Sequence, residues 1–344
     1  MSLAINISTP DGLILAADSR QTYVNRKGQA RVGSDSATKL FKLTPKISLA
    51  AVGPAFLAEG GVQKNIAYFI ERFIKEKILG SDCLHVEDIA KKIELYFDDL
   101  FEWKKELDRA ETQLREQATR IGGTEVSVNK EGGTVIVKYK LNNKIKTMAA
   151  AINPLQFFLA GYNPDGSHQV FIVSIPGGLD KKRDSKEKGK EFGASWIGQT
   201  DVVTRIVLGF DSRIGGLPFV AKAVNIGDKT ELERQLRQLE YSIQWGTMTL
   251  QDGADFARLM IETTSAIQRF SDGILADPGD IPGVGGSVDL IVVTPRKGFV
   301  WLSKKALRVS QEITNLDEFR DLPEVEAVGS KKVGDKRGSS KDNK

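Results

Sequence analysis

Hydrophobic and polar residues at the start of the chain follow a pattern that predicts β-strands. Residues 3–8 and 13–17 are short apolar runs, and the turn-forming triplet Pro10-Asp11-Gly12 separates them as in a hairpin. A third apolar run, residues 47–52, ends at Gly53. We therefore predict that much of the first fifty residues forms strands.

The spacing of apolar residues then changes to the spacing typical of helices. One apolar stripe consists of Val62, Ile66, Phe69, Ile70 and Phe73. A second stripe consists of Ile89, Ile93, Tyr96, Phe97, Leu100, Phe101 and Trp103. Because these spacings place each set on one helix face, we expect two long helices in this region.

Strand-like runs return after residue 123. The runs TEVSV and TVIVKY flank a turn at residues 130–133, and LQFFLAGY and HQVFIVSI flank a second turn at residues 163–166. The rest of the chain predicts a charged loop at residues 180–191, helices at 201–208 and 251–270, and two closing strands at 287–294 and 298–304.

The predicted helices come in pairs between groups of strands. This order disfavours a doubly wound parallel sheet, in which single helices alternate with strands. It favours an α+β fold in which two antiparallel sheets pack together with paired helices on their outer faces, a four-layer α-β-β-α sandwich. No internal repeat of solenoid length is visible in the sequence.

The positive net charge lies at the end of the chain. Of 344 residues, 49 are Lys or Arg and 45 are Asp or Glu, a net charge of +4. Residues 329–344 hold six of the basic and two of the acidic side chains, which accounts for the whole excess. A balanced body disfavours nucleic-acid binding, and we predict that this Gly-, Ser- and Lys-rich tail is disordered.

Composition narrows the class of protein further. The single cysteine, Cys83, rules out an intramolecular disulfide, so we expect a reducing, cytoplasmic environment. With only His85 and His168 beside it, a zinc site of Cys and His cannot be assembled, and no metal or cofactor is expected. No export signal or membrane span is predicted.

Ser2 is the first candidate for catalysis. Methionine aminopeptidase generally removes Met1 when the next side chain is small, which would leave Ser2 as the N-terminus. A free N-terminal serine combines a hydroxyl nucleophile with an α-amine whose pKa of about 7.7–8.0 suits a general base. Such a dyad needs no histidine, although most proteins that begin Met-Ser have no chemistry there.

Motifs downstream of Ser2 resemble those of proteasome β subunits, a family of N-terminal nucleophile hydrolases. The segments that carry the resemblance are, in order, PDGLILAADSR, SATKLFKLTPKISLAAVG, FFLAGYNPDGSHQVFIVSIPGG, MTLQDGADFARLMIETTSAIQRF and GGSVDLIVVTPRKGFVWL. They follow the family's order and cover most of residues 2–303. Counted back from Asp11 and Gly12, the family's nucleophilic N-terminal threonine falls on Ser2 without a gap.

The resemblance implies roles for four residues. Ser2 replaces threonine as the nucleophile. Asp18 matches the family's acidic residue beside the active site, and Lys39 matches the buried lysine that Asp18 holds and whose charge lowers the proton affinity of the dyad. Gly53 matches the glycine whose backbone N–H forms the oxyanion hole. The alternative for Asp18 and Lys39 is an ion pair that only supports the sheet.

Supporting and substrate-binding residues follow from the same resemblance. Gln199 stands where the family has a serine in a supporting loop, and Asp272 is the best match for an aspartate that orients the α-amine, while no second serine matches. Thr22 matches a residue whose backbone pairs with an extended peptide. Ala51 and Ala55 border the first specificity pocket, and their small size predicts a roomy, neutral pocket that takes medium or large apolar residues.

The resemblance implies a hydrolase domain over residues 2–303, an extension at 304–328 and the tail at 329–344. Four segments exceed the family pattern and are predicted insertions: residues near 121–146, 180–191, 212–245 and 273–282.

The implied function is that of a proteasome-like peptidase. Ser2 attacks a peptide carbonyl, its own amine shuttles the proton, and water releases the acyl-enzyme. The resemblance also implies a peptide or unfolded protein as substrate, a homo-oligomeric ring and an ATPase activator. Two alternatives remain open: an inactive subunit of the same fold, and a hydrolase of small amides whose extra loops narrow access to the site.

Overall fold

The computed structural model describes residues 2–25, 27, 29–80, 84–217, 220, 229–275, 277–278, 281–309 and 312–315. Several predictions fall partly or wholly outside the described residues. They concern Met1, Cys83, the tail at 329–344, and parts of the segments 212–245, 273–282 and 304–328.

Strands outnumber helices in the described part of the chain. The strands, in chain order, are β1 (Leu3–Thr9), β2 (Gly12–Asp18), β3 (Gln21–Val24), β4 (Ala30–Ser34), β5 (Leu40–Thr44), β6 (Ile47–Val52), β7 (Phe56–Glu59), β8 (Val62–Asn65), β9 (Thr124–Glu131), β10 (Thr134–Leu141), β11 (Lys144–Ala151), β12 (Leu155–Tyr162), β13 (His168–Ile175), β14 (Gly178–Asp184), β15 (Gly193–Gly198), β16 (Gly273–Ile274), β17 (Asp277–Pro278), β18 (Val288–Thr294), β19 (Gly298–Ser303), β20 (Ala306–Val309) and β21 (Glu312–Asn315). The α-helices are α1 (Ile66–Phe73), α2 (Val86–Leu100), α3 (Trp103–Arg120), α4 (Asp201–Leu208), α5 (Lys229–Leu236) and α6 (Leu250–Phe270). Within the described part of the chain, no helix has both the length and the apolar character needed to cross a membrane.

Two five-stranded antiparallel sheets form the centre of the molecule. The first has the order β15-β1-β2-β18-β19, and the second has the order β14-β13-β12-β6-β5. The predicted hairpin at the start of the chain is confirmed, with Ala4 of β1 opposite Ala17 of β2. The predicted closing strands are confirmed as β18 and β19, which lie at one side of the first sheet.

Both faces of each sheet are buried. Because side chains alternate along a strand, Leu15 and Ile14 of β2 point to opposite faces. Leu15 belongs to a core between the two sheets, together with Phe158 of β12. Ile14 belongs to a second core that contains residues of α4 and α6. The outer face of the second sheet packs in a third core against side chains of α1 and α2. The molecule is thus a mixed α and β structure built on antiparallel sheets.

The first predicted helix begins later than its apolar stripe. Val62 lies in β8, which forms a hairpin with β7 around the turn at Gly60 and Gly61. Helix α1 begins at Ile66, where the Asn65 side chain accepts a hydrogen bond from the backbone N–H of Ala67. The helical interpretation of Val62 was therefore wrong.

The second predicted helix ends at Leu100, and Trp103 opens a further helix that the sequence pattern did not predict. Helix α3 is polar over most of its length. It packs on the three-stranded sheet β11-β10-β9, and a separate small core joins them: Leu107, Ala118, Val135, Val137 and Tyr139. The predicted extra residues at 121–146 are part of this module.

Part of the predicted charged loop at 180–191 is a strand instead. Strand β14 runs to Asp184 and pairs with β13, with Ile172 opposite Asp180. It is an edge strand of its sheet, and charged side chains are common on such edges because they oppose further strand pairing. Strand β15, which pairs with β1, was also not predicted.

The contacts within the chain divide it after Ser303. The second unit contains the hairpin of β20 and β21, in which Ala306 lies opposite Asn315.

Candidate active site

Asp18, the last residue of β2, has a fully buried side chain that joins several segments. Its Oδ1 accepts hydrogen bonds from Lys39 Nζ at 2.7 Å and from the backbone N–H of Leu3 at 3.0 Å. Its Oδ2 accepts hydrogen bonds from the backbone N–H groups of Arg20 and Gly285, both at 3.0 Å. A buried charge needs such partners, so the pair of Asp18 and Lys39 is fixed directly beside the start of β1.

Ser2 lies immediately before β1 and is only 6% exposed. Its carbonyl oxygen accepts a hydrogen bond from the backbone N–H of Gln199 at 2.7 Å. Gly198 has a φ of +93°, and a Cβ there would collide with the same carbonyl oxygen. The close approach of the end of β15 therefore requires glycine and holds Ser2 in position.

Gly53 follows β6 and lines the cleft. Its φ is +112°, and a Cβ would collide with the carbonyl oxygen of Pro154. Only glycine fits this conformation and this contact without strain. Gly53 lines both cavities that meet at Ser2.

Ser2 lies between two cavities of very different size. The larger has a volume of about 700 Å³ and is also lined by Gly198 and Gln199. The smaller has a volume of about 30 Å³ and is lined by four more of the residues that the sequence assigned to chemistry or substrate: Thr22, Lys39, Ala51 and Ala55. The predicted residues around Ser2, apart from Asp272, thus converge on one cleft or on Asp18 beneath it.

The cavity beside Ala51 and Ala55 is small, in contrast to the sequence-based expectation. Its volume of about 30 Å³ is far below the range of about 300–1,000 Å³ typical of ligand sites. Ile66 of α1 and Leu155 of β12 also line this cavity. The expectation of a roomy pocket for medium or large apolar residues stays a prediction, and the small volume favours small residues instead.

Gln199 connects Ser2 to helix α6. The Gln199 side-chain oxygen accepts a hydrogen bond from Gln268 Nε2 at 3.0 Å, and Gln268 Oε1 accepts one from the backbone N–H of Val284 at 2.8 Å. Gln268 was missed from the sequence because a polar residue in the last turn of a helix carries no signal of its own. Its role depends on how α6 packs beside the loop that contains Val284.

Asp272 is exposed, and its neighbours Ser271 and Gly273 line the larger cavity. Its assignment to the α-amine of Ser2 stays a prediction. Ser271, which no sequence match singled out, lies in the cleft.

Arg20 forms hydrogen bonds near the loop whose Gly285 N–H binds Asp18. Its Nε and Nη2 donate to the two carboxylate oxygens of Asp35 at 2.7 and 2.9 Å, and its Nη1 donates to the carbonyl oxygen of Pro282 at 3.3 Å. The hydrogen bond from Arg20 lowers the pKa of Asp35. The guanidinium also lies against Gly285, whose N–H binds Asp18, so Arg20 helps to fix that donor.

The site contains side chains and backbone groups suited to acyl transfer. A hydroxyl at Ser2, an ammonium at Lys39 and a backbone N–H at Gly53 surround one cleft. No group of three or more His, Cys, Asp and Glu side chains arranged to hold a metal ion is found among the described residues.

Comparison with known proteins yields likeness in structure rather than in sequence. Neither a protein-family model nor a curated protein matches the sequence. Among solved structures, the chain is similar to the Anbu (Gly-1) mutant from Hyphomicrobium sp. strain MC1, with 11% sequence identity and a TM-score of 0.43. The match covers 91% of this chain and 89% of that chain. A likeness of this degree assigns neither a family nor an activity, so the function has to be inferred from the site.

Proposed function

We propose that the chain is an N-terminal nucleophile hydrolase that cleaves peptide bonds, with Ser2 as the nucleophile after removal of Met1. One observation carries the proposal: Ser2 lies in a cleft beside the buried pair of Asp18 and Lys39, and Gly53 lines the same cleft. In this proposal, the two packed sheets and their outer helices form a four-layer α-β-β-α sandwich.

The proposed reaction proceeds through an acyl-enzyme. The α-amine of Ser2 takes the hydroxyl proton while Oγ bonds to the peptide carbonyl carbon, and the backbone N–H of Gly53 stabilises the oxyanion. The amine then passes the proton to the leaving nitrogen as the C–N bond breaks. Water attacks the ester with the same amine as base, which releases the acid and restores the hydroxyl. The Lys39 ammonium lowers the proton affinity of the hydroxyl, and Asp18 holds that ammonium in position.

The two cavities support a specific kind of substrate. The small cavity beside Ala51 suits a glycine, alanine or serine on the acyl side of the cleaved bond. The larger cavity has a volume of about 700 Å³, within the range of about 300–1,000 Å³ typical of sites for drug-sized ligands, which leaves room for residues on the leaving side of a peptide.

Exposed apolar side chains favour a partner protein, and we propose a homo-oligomer. Phe270 and Leu275 are 80% and 98% exposed near the cleft residues Ser271 and Gly273. A closed ring and an ATPase activator are further proposals, which rest on the sequence resemblance alone.

An inactive subunit of the same fold is the second candidate. Two features around the Ser2 amine favour this candidate. Gln199 stands where the family has a serine, and Asp272 is exposed.

Turnover of fluorogenic peptides with alanine on the acyl side tests the proposal. Wild type and Ser2→Thr should cleave them, because threonine keeps both the hydroxyl and the amine. Ser2→Ala should lose at least about 10³-fold in rate, as expected for loss of a nucleophile. Ser127→Ala, an exposed serine on β9, is the matched control. Equal rates for Ser2→Ala and wild type would refute the peptidase mechanism, and turnover of small amides alone would favour the amidase.

A further inference from the structure

Two arginines share one carboxylate on the wall of the larger cavity. Arg213 donates from Nε to Asp211 Oδ1 at 2.8 Å and from Nη2 to Oδ2 at 2.7 Å. Arg205 of α4 donates from Nε to Asp211 Oδ2 at 2.8 Å. These hydrogen bonds, that of Arg213 foremost, hold the pKa of Asp211 below its ordinary value. Both guanidinium groups are therefore held side by side at one carboxylate.

The cluster faces the space beside Ser2. Arg205, Asp211 and Arg213 line the same cavity of about 700 Å³ as Ser2 and Gly53. The side chains of the two arginines are 44% and 51% exposed, so a ligand in the cavity can reach them.

One further acidic residue lines this cavity and has to be weighed. Asp201 lies in the first turn of α4, where the helix dipole compensates a negative charge. Arg205 follows Asp201 by one helical turn, yet its described bonds go to Asp211. Among the described residues, Asp201 and Arg205 form no ion pair with each other, so the Arg205 guanidinium stays at Asp211 beside that of Arg213.

We propose that the larger cavity binds the leaving-group side of the substrate and that Arg205 and Arg213 recognise a carboxylate there. The inference rests on the proposed function, because the smaller cavity beside Ser2 takes the acyl side. A guanidinium binds carboxylates through charge-assisted, often paired hydrogen bonds. The carboxylate belongs either to an acidic side chain or to the C-terminus of the leaving peptide.

Binding to the Ser2→Ala protein tests this inference independently of catalysis. In the first set, dye-labelled peptides have alanine on the acyl side and an amidated C-terminus. Each peptide carries either Glu or Gln at one of the first three positions on the leaving side. A second set would carry only neutral side chains, with a free or an amidated C-terminus. We expect the carboxylate form to bind about tenfold more tightly than its neutral partner in at least one set, and which set responds identifies the source of the carboxylate.

We expect Arg205→Gln and Arg213→Gln, each combined with Ser2→Ala, to remove this preference, so that the ratio of the two affinities falls to about one. Arg115→Gln on the remote helix α3 is the matched control and should keep it. Thermal melting checks that each variant is folded. Equal binding of carboxylate and neutral peptides in every set, or a preference unchanged in both arginine variants, would overturn the inference. Absence of cleavage by wild type, with the preference intact, would instead count against the proposed peptidase alone.

Discussion

At the scale of single residues, Asp18 links the parts of the site. Its carboxylate binds the Lys39 ammonium and backbone N–H groups from three separate segments, so one side chain sets the positions of β1, β2 and a distant loop. Asp18, Lys39 and Gly53 could be singled out from the sequence because each lies in a segment that resembles a motif of the proteasome β subunits. Gln268 and Gly285 could not, since their roles depend on contacts between segments far apart in the chain.

Lys39→Met should inactivate and destabilise the protein. It would leave the Asp18 carboxylate buried without its counter-ion, and breaking a buried pair costs about 3–5 kcal/mol. Asp18→Asn combined with Lys39→Met removes both charges and should recover part of that free energy of unfolding but none of the activity. Urea unfolding and peptide turnover on both variants check this. If the double variant regained activity together with stability, the pair would have only a structural role.

At the scale of secondary-structure elements, the spacing of apolar residues predicted strands and helices that bury a complete face. Strands β1 and β2 and helices α4 and α6 follow the apolar pattern closely because each buries a complete face. Helix α3 and strand β14 could not be predicted in this way, since α3 buries few residues and β14 is a charged edge strand. The size of the pocket beside Ala51 was also beyond the sequence, because Ile66 and Leu155 reach it from other elements.

His168, at the start of β13, should make stability sensitive to pH. Burial lowers the pKa of its ring, and Nε2 lies 2.8 Å from the carbonyl oxygen of Glu191. In the unfolded chain the ring takes up a proton below about pH 6.5, whereas in the folded chain it stays neutral to lower pH. Unfolding is therefore favoured as the pH falls from 7.5 to 5.5.

Denaturant midpoints at these two pH values measure the effect. The drop in midpoint should become smaller in His168→Gln. It should remain in His85→Gln, the control variant at the other, exposed histidine. The same drop in wild type and His168→Gln would show that other groups cause it.

At the scale of the whole molecule, the pairing of predicted helices between groups of strands indicated antiparallel sheets, and the described part of the chain is a mixed α and β structure with two five-stranded antiparallel sheets. The site lies where the two sheets come together, because Ser2 precedes β1 of the first sheet and Gly53 follows β6 of the second. The proposed chemistry depends on processing of the chain, since Ser2 has a free α-amine only after Met1 is removed.

Intact mass spectrometry after incubation with a peptide epoxyketone tests this central claim most directly. The reagent forms a ring with the hydroxyl and the free α-amine of one residue, so it reports both halves of the proposed dyad. We predict a mass that corresponds to the chain without Met1 plus one reagent, with the adduct on Ser2 and none on Ser2→Ala. A chain that retains Met1, carries an acetyl group on Ser2 or gains no reagent would contradict catalysis by an N-terminal serine.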